Sequence, residues 1–137
     1  MRQHRTRREG LLRGGADRHP DRLSRAILFP QFVNKWNSLQ GRGTPALHIK
    51  MADWLGTSWT NEDKRLLLMV FRDAGKSTLV GLYCAWLLAR DSDLRILVLS
   101  AESTLATKLT RNVRRIIERH PMTKHLMPDR REQWASD

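Results

Sequence analysis

One stretch constrains this chain more than any other: Leu66 to Leu82, which reads LLLMVFRDAGKSTLVGL. Six consecutive apolar residues, Leu66 to Phe71, are too few for a helix and suit a strand buried on both faces. Arg72, Asp73, Ala74 and Gly75 form a turn, and from Lys76, Ser77 and Thr78 onward an apolar helix pattern begins. The order strand, small-residue loop, helix is the one a phosphate-binding loop needs. Gly75 lets the backbone approach an anion closely. The unpaired N–H groups of the helix start then face phosphate oxygens with the helix dipole behind them. In that arrangement Lys76 reaches the β- and γ-phosphates as a point charge, and Ser77 places its hydroxyl on Mg2+.

The pattern GxxxxGK[ST] is incomplete, because the position five residues before Gly75 is Val70 and not glycine. Gly-Lys-Ser also occurs by chance, and a helix that starts after glycine needs no ligand. The segment Phe71-Arg72-Asp73-Ala74-Gly75-Lys76-Ser77-Thr78 nevertheless resembles the deviant phosphate loop of the large terminase subunits of tailed phages, the motors that pump DNA into capsids. That family commonly lacks the early glycine and carries an arginine three residues before the Gly-Lys pair, where Arg72 stands here.

The resemblance implies a P-loop NTPase core of the RecA-like α/β kind, preceded by helices, with ATP and Mg2+ as cofactors. It makes Gly75, Lys76, Ser77 and Thr78 the nucleotide cradle, Ser77 the metal ligand, and Arg72 with Lys76 the catalytic cations. A guanidinium at Arg72 would neutralise charge on the equatorial oxygens during phosphoryl transfer. The implied partners are double-stranded DNA, the portal and the small terminase subunit. The implied place is the cytoplasm of the host cell.

At 137 residues one domain is expected, and 40% apolar content supports a core. The apolar run is cut by Arg72, Asp73 and Lys76, so no segment approaches a membrane-spanning length. The start Met-Arg-Gln-His-Arg has no apolar stretch behind it and does not read as a secretory signal. The single cysteine, Cys84, reads as a small buried hydrophobe in a reducing compartment.

The net charge of +11 is unevenly placed. Residues 1–25 hold eight arginines against Glu9, Asp17 and Asp21. Residues 108–131 hold eight cations against Glu118 and Asp129, and the centre is balanced. Two basic blocks of this kind favour a polyanionic partner, nucleic acid above all.

Three regions follow. Residues 1–25 carry few apolar groups and read as a basic, disordered arm that either touches DNA phosphates or has no role. Residues 26–65 hold two lead-in helices and a linker. Apolar groups from Ile27 to Leu39 lie at helical spacing on either side of Pro30, with Gly41 as a stop. Thr44-Pro45 supplies a cap and a first-turn proline for a second helix striped by Leu47, Met51, Trp54 and Leu55 and ending at Gly56. His48 lies beside that stripe. The resemblance places such a histidine near the nucleotide base; a structural role is the simpler reading. Thr57 to Arg65 reads as a polar linker.

The resemblance makes residues 66–137 the first part of a P-loop ATPase domain, truncated. After the loop helix, Arg95 to Ser100 reads as a second strand, parallel to the first. Glu102 to Arg119 reads as a helix with an inner stripe of Leu105, Leu109, Val113, Ile116 and Ile117 and with Lys108, Arg111, Arg114 and Arg115 on its other faces. The terminase likeness continues through His120-Pro121 to Asp129, where His120 and His125 lack partners for a metal site.

In the family, the acids that hold magnesium and orient water come on a later strand, and a nuclease domain later still. Glu102 is set aside as the magnesium acid because Ser100 and Ala101 separate it from the apolar run. The expected function is therefore the ATP-binding part of a DNA-packaging motor, inactive as a lone fragment. The alternatives are a helicase-like ATPase fragment, and a basic nucleic-acid-binding protein whose glycine turn is structural.

Overall fold

The computed structural model describes residues 26–129. The arm expected over residues 1–25, and Arg130 and Arg131 of the second basic block, lie outside them. The described elements are helices α1 (Phe29–Leu39), α2 (Ala46–Thr60), α3 (Lys76–Arg90) and α4 (Ser103–Arg119), followed by a 3-10 helix (Pro121–Leu126).

The α/β expectation is overturned. Among the described residues there is no strand and no sheet, so this is not a RecA-like P-loop core. A strand exists only when its backbone pairs with a neighbour, and neither apolar run finds one. Leu66 to Val70 and Arg95 to Leu99 exchange no backbone hydrogen bond with each other or with any other described residue. Their side chains are not enclosed on both faces either: Leu67 is 76% exposed, Met69 79%, Leu97 80% and Leu99 83%. Exposure alternates along the first run instead: Leu68 and Val70 turn to the core while Leu67, Met69 and Phe71 turn to water.

Helix α3 is the hub. It packs against α1, α2, α4 and the 3-10 helix, as expected for a helix apolar nearly all round. Leu79, Leu82, Ala85 and Trp86 are buried with Phe29 and Phe32 of α1, Leu55 of α2 and Ile116 of α4. The Phe29 ring lies 5.2 Å from that of Tyr83 and 5.3 Å from that of Trp86, in tilted geometry. Trp86 donates its indole N–H to the Ile27 carbonyl at 2.9 Å, and the Arg90 guanidinium lies over the same ring at 4.8 Å. Cys84 is buried on this helix, and burial pushes its thiol up. No helix among the described residues is long and apolar enough to cross a membrane.

Two helix boundaries differ from those expected. Helix α1 begins at Phe29 with Pro30 in its first turn, and the Gln31 side chain accepts the Leu28 N–H at 3.3 Å. Helix α2 begins one residue after Pro45 and runs past Gly56 to Thr60, so Thr57 to Thr60 is helix and not linker. Thr44 caps nothing; its hydroxyl joins Asn34 and Asn37 of α1 at 3.0 and 3.1 Å.

His120 ties the segment after α4 to α1. Its ring stacks on Phe32 at 3.8 Å between centroids, Nε2–H donates to the Phe32 carbonyl at 3.1 Å, and Nδ1 accepts the Met122 N–H at 3.2 Å. These two bonds use both nitrogens of the neutral ring and fix its tautomer. Burial lowers the pKa of His120; the Phe32 bond opposes that, and the Lys35 charge adds to it. A depressed folded pKa means that the unfolded chain takes up the proton first as pH falls. The stabilisation is complete above the ordinary histidine value of about 6.5 and is lost progressively below it, down to the folded pKa. Thermal unfolding should therefore show a midpoint that falls as pH drops below the ordinary histidine value of about 6.5. His120→Phe should flatten that slope while lowering the midpoint throughout, through orphaned polar groups at Met122 and Phe32 costing about 1–3 kcal/mol.

Candidate phosphate-binding loop

The loop that leads into α3 is built from two left-handed residues. Ala74 N–H closes a turn on the Phe71 carbonyl at 3.4 Å, Asp73 sits at φ +64°, and Gly75 caps α3 at φ +75°, ψ +15°. Aspartate tolerates that region better than most side chains, and glycine occupies it freely. The first helical bond of α3 is Leu79 N–H to the Gly75 carbonyl at 3.0 Å, and no side chain caps the helix. The N–H groups of Gly75, Lys76, Ser77 and Thr78 consequently have no protein acceptor among the described residues.

Those amides belong to a concavity of about 430 Å³ lined by the continuous run Phe71 to Thr78. Every residue assigned to phosphate or metal contact from the sequence, namely Arg72, Gly75, Lys76, Ser77 and Thr78, lies in that lining. Arg72, Lys76, Ser77 and Thr78 are exposed, and Gly75 is half-buried. Arg72 and Lys76 outweigh Asp73, and the positive end of the α3 dipole adds to them. The arrangement fits a chain of phosphates: free donors, two cations and a backbone able to approach closely.

A magnesium ion fits only as part of a nucleotide complex. Among the described residues there is no cluster of three or more His, Cys, Asp or Glu side chains that could hold a metal. Ser77 would add one hydroxyl to an ion held mainly by phosphate oxygens and water. Glu102 lines neither this concavity nor its neighbour; it precedes α4, and its carboxylate accepts the Thr104 hydroxyl at 3.4 Å. His125 bonds the Ala89 carbonyl at 3.2 Å.

Lys76, Ser77 and Thr78 also form one end of a second groove, about 620 Å³, between α3 and α4. Lys108, Asn112 and Arg115 reach it from α4, where their spacing of four and three puts them on one stripe. Arg115 donates to the Asn112 side-chain carbonyl at 3.0 Å. In the sequence, Lys108 and Arg115 read only as part of a general cationic face, and Asn112 carries no mark of its own. The available signal was Gly81: a Cβ there would meet the Asn112 amide nitrogen at 2.6 Å, so glycine in mid-helix marks the close approach of α4.

His48 also proves to touch the loop. Its Nε2 lies 2.8 Å from the Ala74 carbonyl oxygen, yet the ring is not part of the concavity's lining. Comparison with models of known protein families, with curated proteins and with solved structures found no match to this chain.

Gly75→Ala tests the loop geometry. A Cβ would stand 2.7 Å from His48 Nε2 and would force alanine to φ +75°. Left-handed backbone costs a non-glycine residue about 1–2 kcal/mol. The substitution should lower the thermal midpoint and broaden or shift the amide resonances of Ala74 to Thr78, whereas Gly43→Ala, in open space, should do neither.

Proposed function

We propose that this chain binds the triphosphate of ATP, as its Mg2+ complex, at the loop Phe71 to Thr78, and that it is the ATP-binding part of a DNA-packaging motor of the terminase kind. The observation that carries the nucleotide reading is the row of N–H groups from Gly75 to Thr78, without an acceptor among the described residues, at the start of α3 in a concavity with Arg72 and Lys76. Anion binding by these amides rests on the helix start; the strand expected before the loop is absent among the described residues, and the reading loses that part of its support. Lys76 contacts phosphate oxygens, the amides of Gly75 and Thr78 donate to them, Ser77 offers its hydroxyl to magnesium, and Arg72 faces the terminal phosphate. ATP, when bound, supplies the chemical energy that such motors couple to DNA movement.

Support for the finer reading is the placement of Arg72 three residues before Gly75 and the likeness of the downstream segments. A helicase-like ATPase fragment shares the loop and differs in those two respects. Portal and small terminase subunit are partners on the same footing. Asp73 is the one carboxylate lining either cavity among the described residues, so the proposal is binding without rapid turnover.

A second reading has its own observations. The Ala74 carbonyl already has a structural partner in His48, and α4 presents Lys108, Arg111 and Arg115 as exposed cations. A basic protein that grips double-stranded DNA through α4, with the glycine turn serving only the fold, satisfies both.

Lys76→Ala separates the two. On the nucleotide reading it should weaken binding of a non-hydrolysable ATP analogue by about 10- to 100-fold in calorimetry, the worth of a charge-assisted contact. Unchanged affinity would leave the loop without a ligand. For duplex DNA, about four phosphate contacts should cost about a hundredfold in affinity between roughly 50 and 200 mM salt. A flat salt dependence would remove DNA as a partner of α4.

A further inference from the structure

We infer that His48 is the positioning residue of the phosphate-binding loop, locking the Ala74–Gly75 peptide plane so that its N–H points toward the bound anion. The inference rests on the nucleotide reading above. Because a carbonyl can only accept, the 2.8 Å contact requires that His48 carry its proton on Nε2 and donate to Ala74 O. The peptide is trans, as are all the described ones, so its C=O and N–H point in opposite directions. Holding the oxygen on the His48 side therefore sends the Gly75 N–H to the other side. His48 is outside the concavity and Gly75 is in its lining, so that other side is where the phosphate would lie.

A lock is needed because glycine does not choose. At φ +75° Gly75 occupies a region it shares almost equally with its mirror, and half a turn of the Ala74–Gly75 peptide needs little more than a change of φ at Gly75 and ψ at Ala74. The flipped plane would aim a carbonyl oxygen at the anion. A substituent on Gly75 would collide with the His48 ring at 2.7 Å, so the imidazole and the missing side chain fit one another. His48 stands on the first turn of α2, 26 residues from Ala74, and α2 is itself packed on α3. The anchor thus belongs to the same rigid body as the helix whose amides it orients.

The test is binding of inorganic tripolyphosphate to the full chain, by calorimetry, for wild type, Lys76→Ala, His48→Phe and His48→Gln. Phenylalanine keeps a ring against Gly75 and removes the donor; glutamine returns a donor. His48→Phe should bind about tenfold more weakly than wild type and His48→Gln nearly as well, at matched thermal midpoints, the scale of one lost hydrogen bond. Wild-type binding that depends on Lys76 but ignores His48→Phe would overturn this inference alone. So would a glutamine variant as weak as the phenylalanine one. Absence of wild-type binding, or indifference to Lys76→Ala, would overturn the nucleotide reading and this inference with it. A measurement on the wild type stands apart from folding of the variants. The scalar coupling across the hydrogen bond from His48 Nε2 to the Ala74 carbonyl should persist when tripolyphosphate saturates the loop. Its loss on binding would overturn the lock.

Discussion

Enclosure of α3 by its neighbours is the constraint on which the other arrangements depend. Leu79, Leu82, Ala85 and Trp86 are all but removed from water, and they are reached from α1, α2 and α4 at once. Burying such a side chain contributes about 1.5–3 kcal/mol each, against a conformational cost of similar size summed over the chain. No turn of α3 can shift without exposing one of these groups. The helix start is therefore held as firmly as the helix middle, and the first-turn amides of Lys76, Ser77 and Thr78 inherit their direction from packing one to three turns away.

An uncapped helix start is not unusual by itself. Helices α2 and α4 also begin without a side-chain cap, at Pro45 and Glu102. What separates α3 is the company its amides keep. A left-handed glycine precedes them, Lys76 stands on the first turn, and Arg72 lines the same concavity. At α4 the residue in the corresponding place is Glu102, whose charge already answers the helix dipole. Among the described helices, only at α3 do orphan donors, dipole and positive side chains add with the same sign.

The sequence conveyed helices well and strands badly, for one physical reason. A helix satisfies its own backbone within the segment, so a 3.6-residue pattern carries most of what is needed, and α4 falls within a residue of its expected start, although Leu105 of its expected inner stripe is 51% exposed. A strand borrows its bonding from another segment, and no property of Leu66 to Phe71 guarantees a neighbour. The apolar run read as buried on both faces of a sheet; it lies with alternate residues exposed and without a sheet. The loop residues were legible because Gly75, Lys76, Ser77 and Thr78 are contiguous. His48 read as a structural histidine beside the α2 stripe, and its bond to Ala74 spans 26 residues and leaves no local trace. Gly56 misled as a stop because α2 continues through Ser58, which is buried and keeps the chain helical for another turn.

Without a ladder before it, the loop has to be anchored by other means, and three contacts share that role. Leu68 and Val70 pack onto the core from the approaching chain, Ala74 is buried, and His48 holds the Ala74 carbonyl. None of these bonds the backbone of residues 66–70, whose polar groups have no backbone partner among the described residues. The loop is therefore stiff on the α3 side and at Ala74, and less constrained toward Met69 and Phe71. Arg72 sits at the boundary between the two regimes, whereas Lys76 and Ser77 lie wholly on the rigid side. Ground-state binding through Lys76 and the amides needs only the rigid part. A contact from Arg72 to a terminal phosphate must also overcome the freedom of the segment that carries it, so the two cations are unequal partners despite lining one concavity.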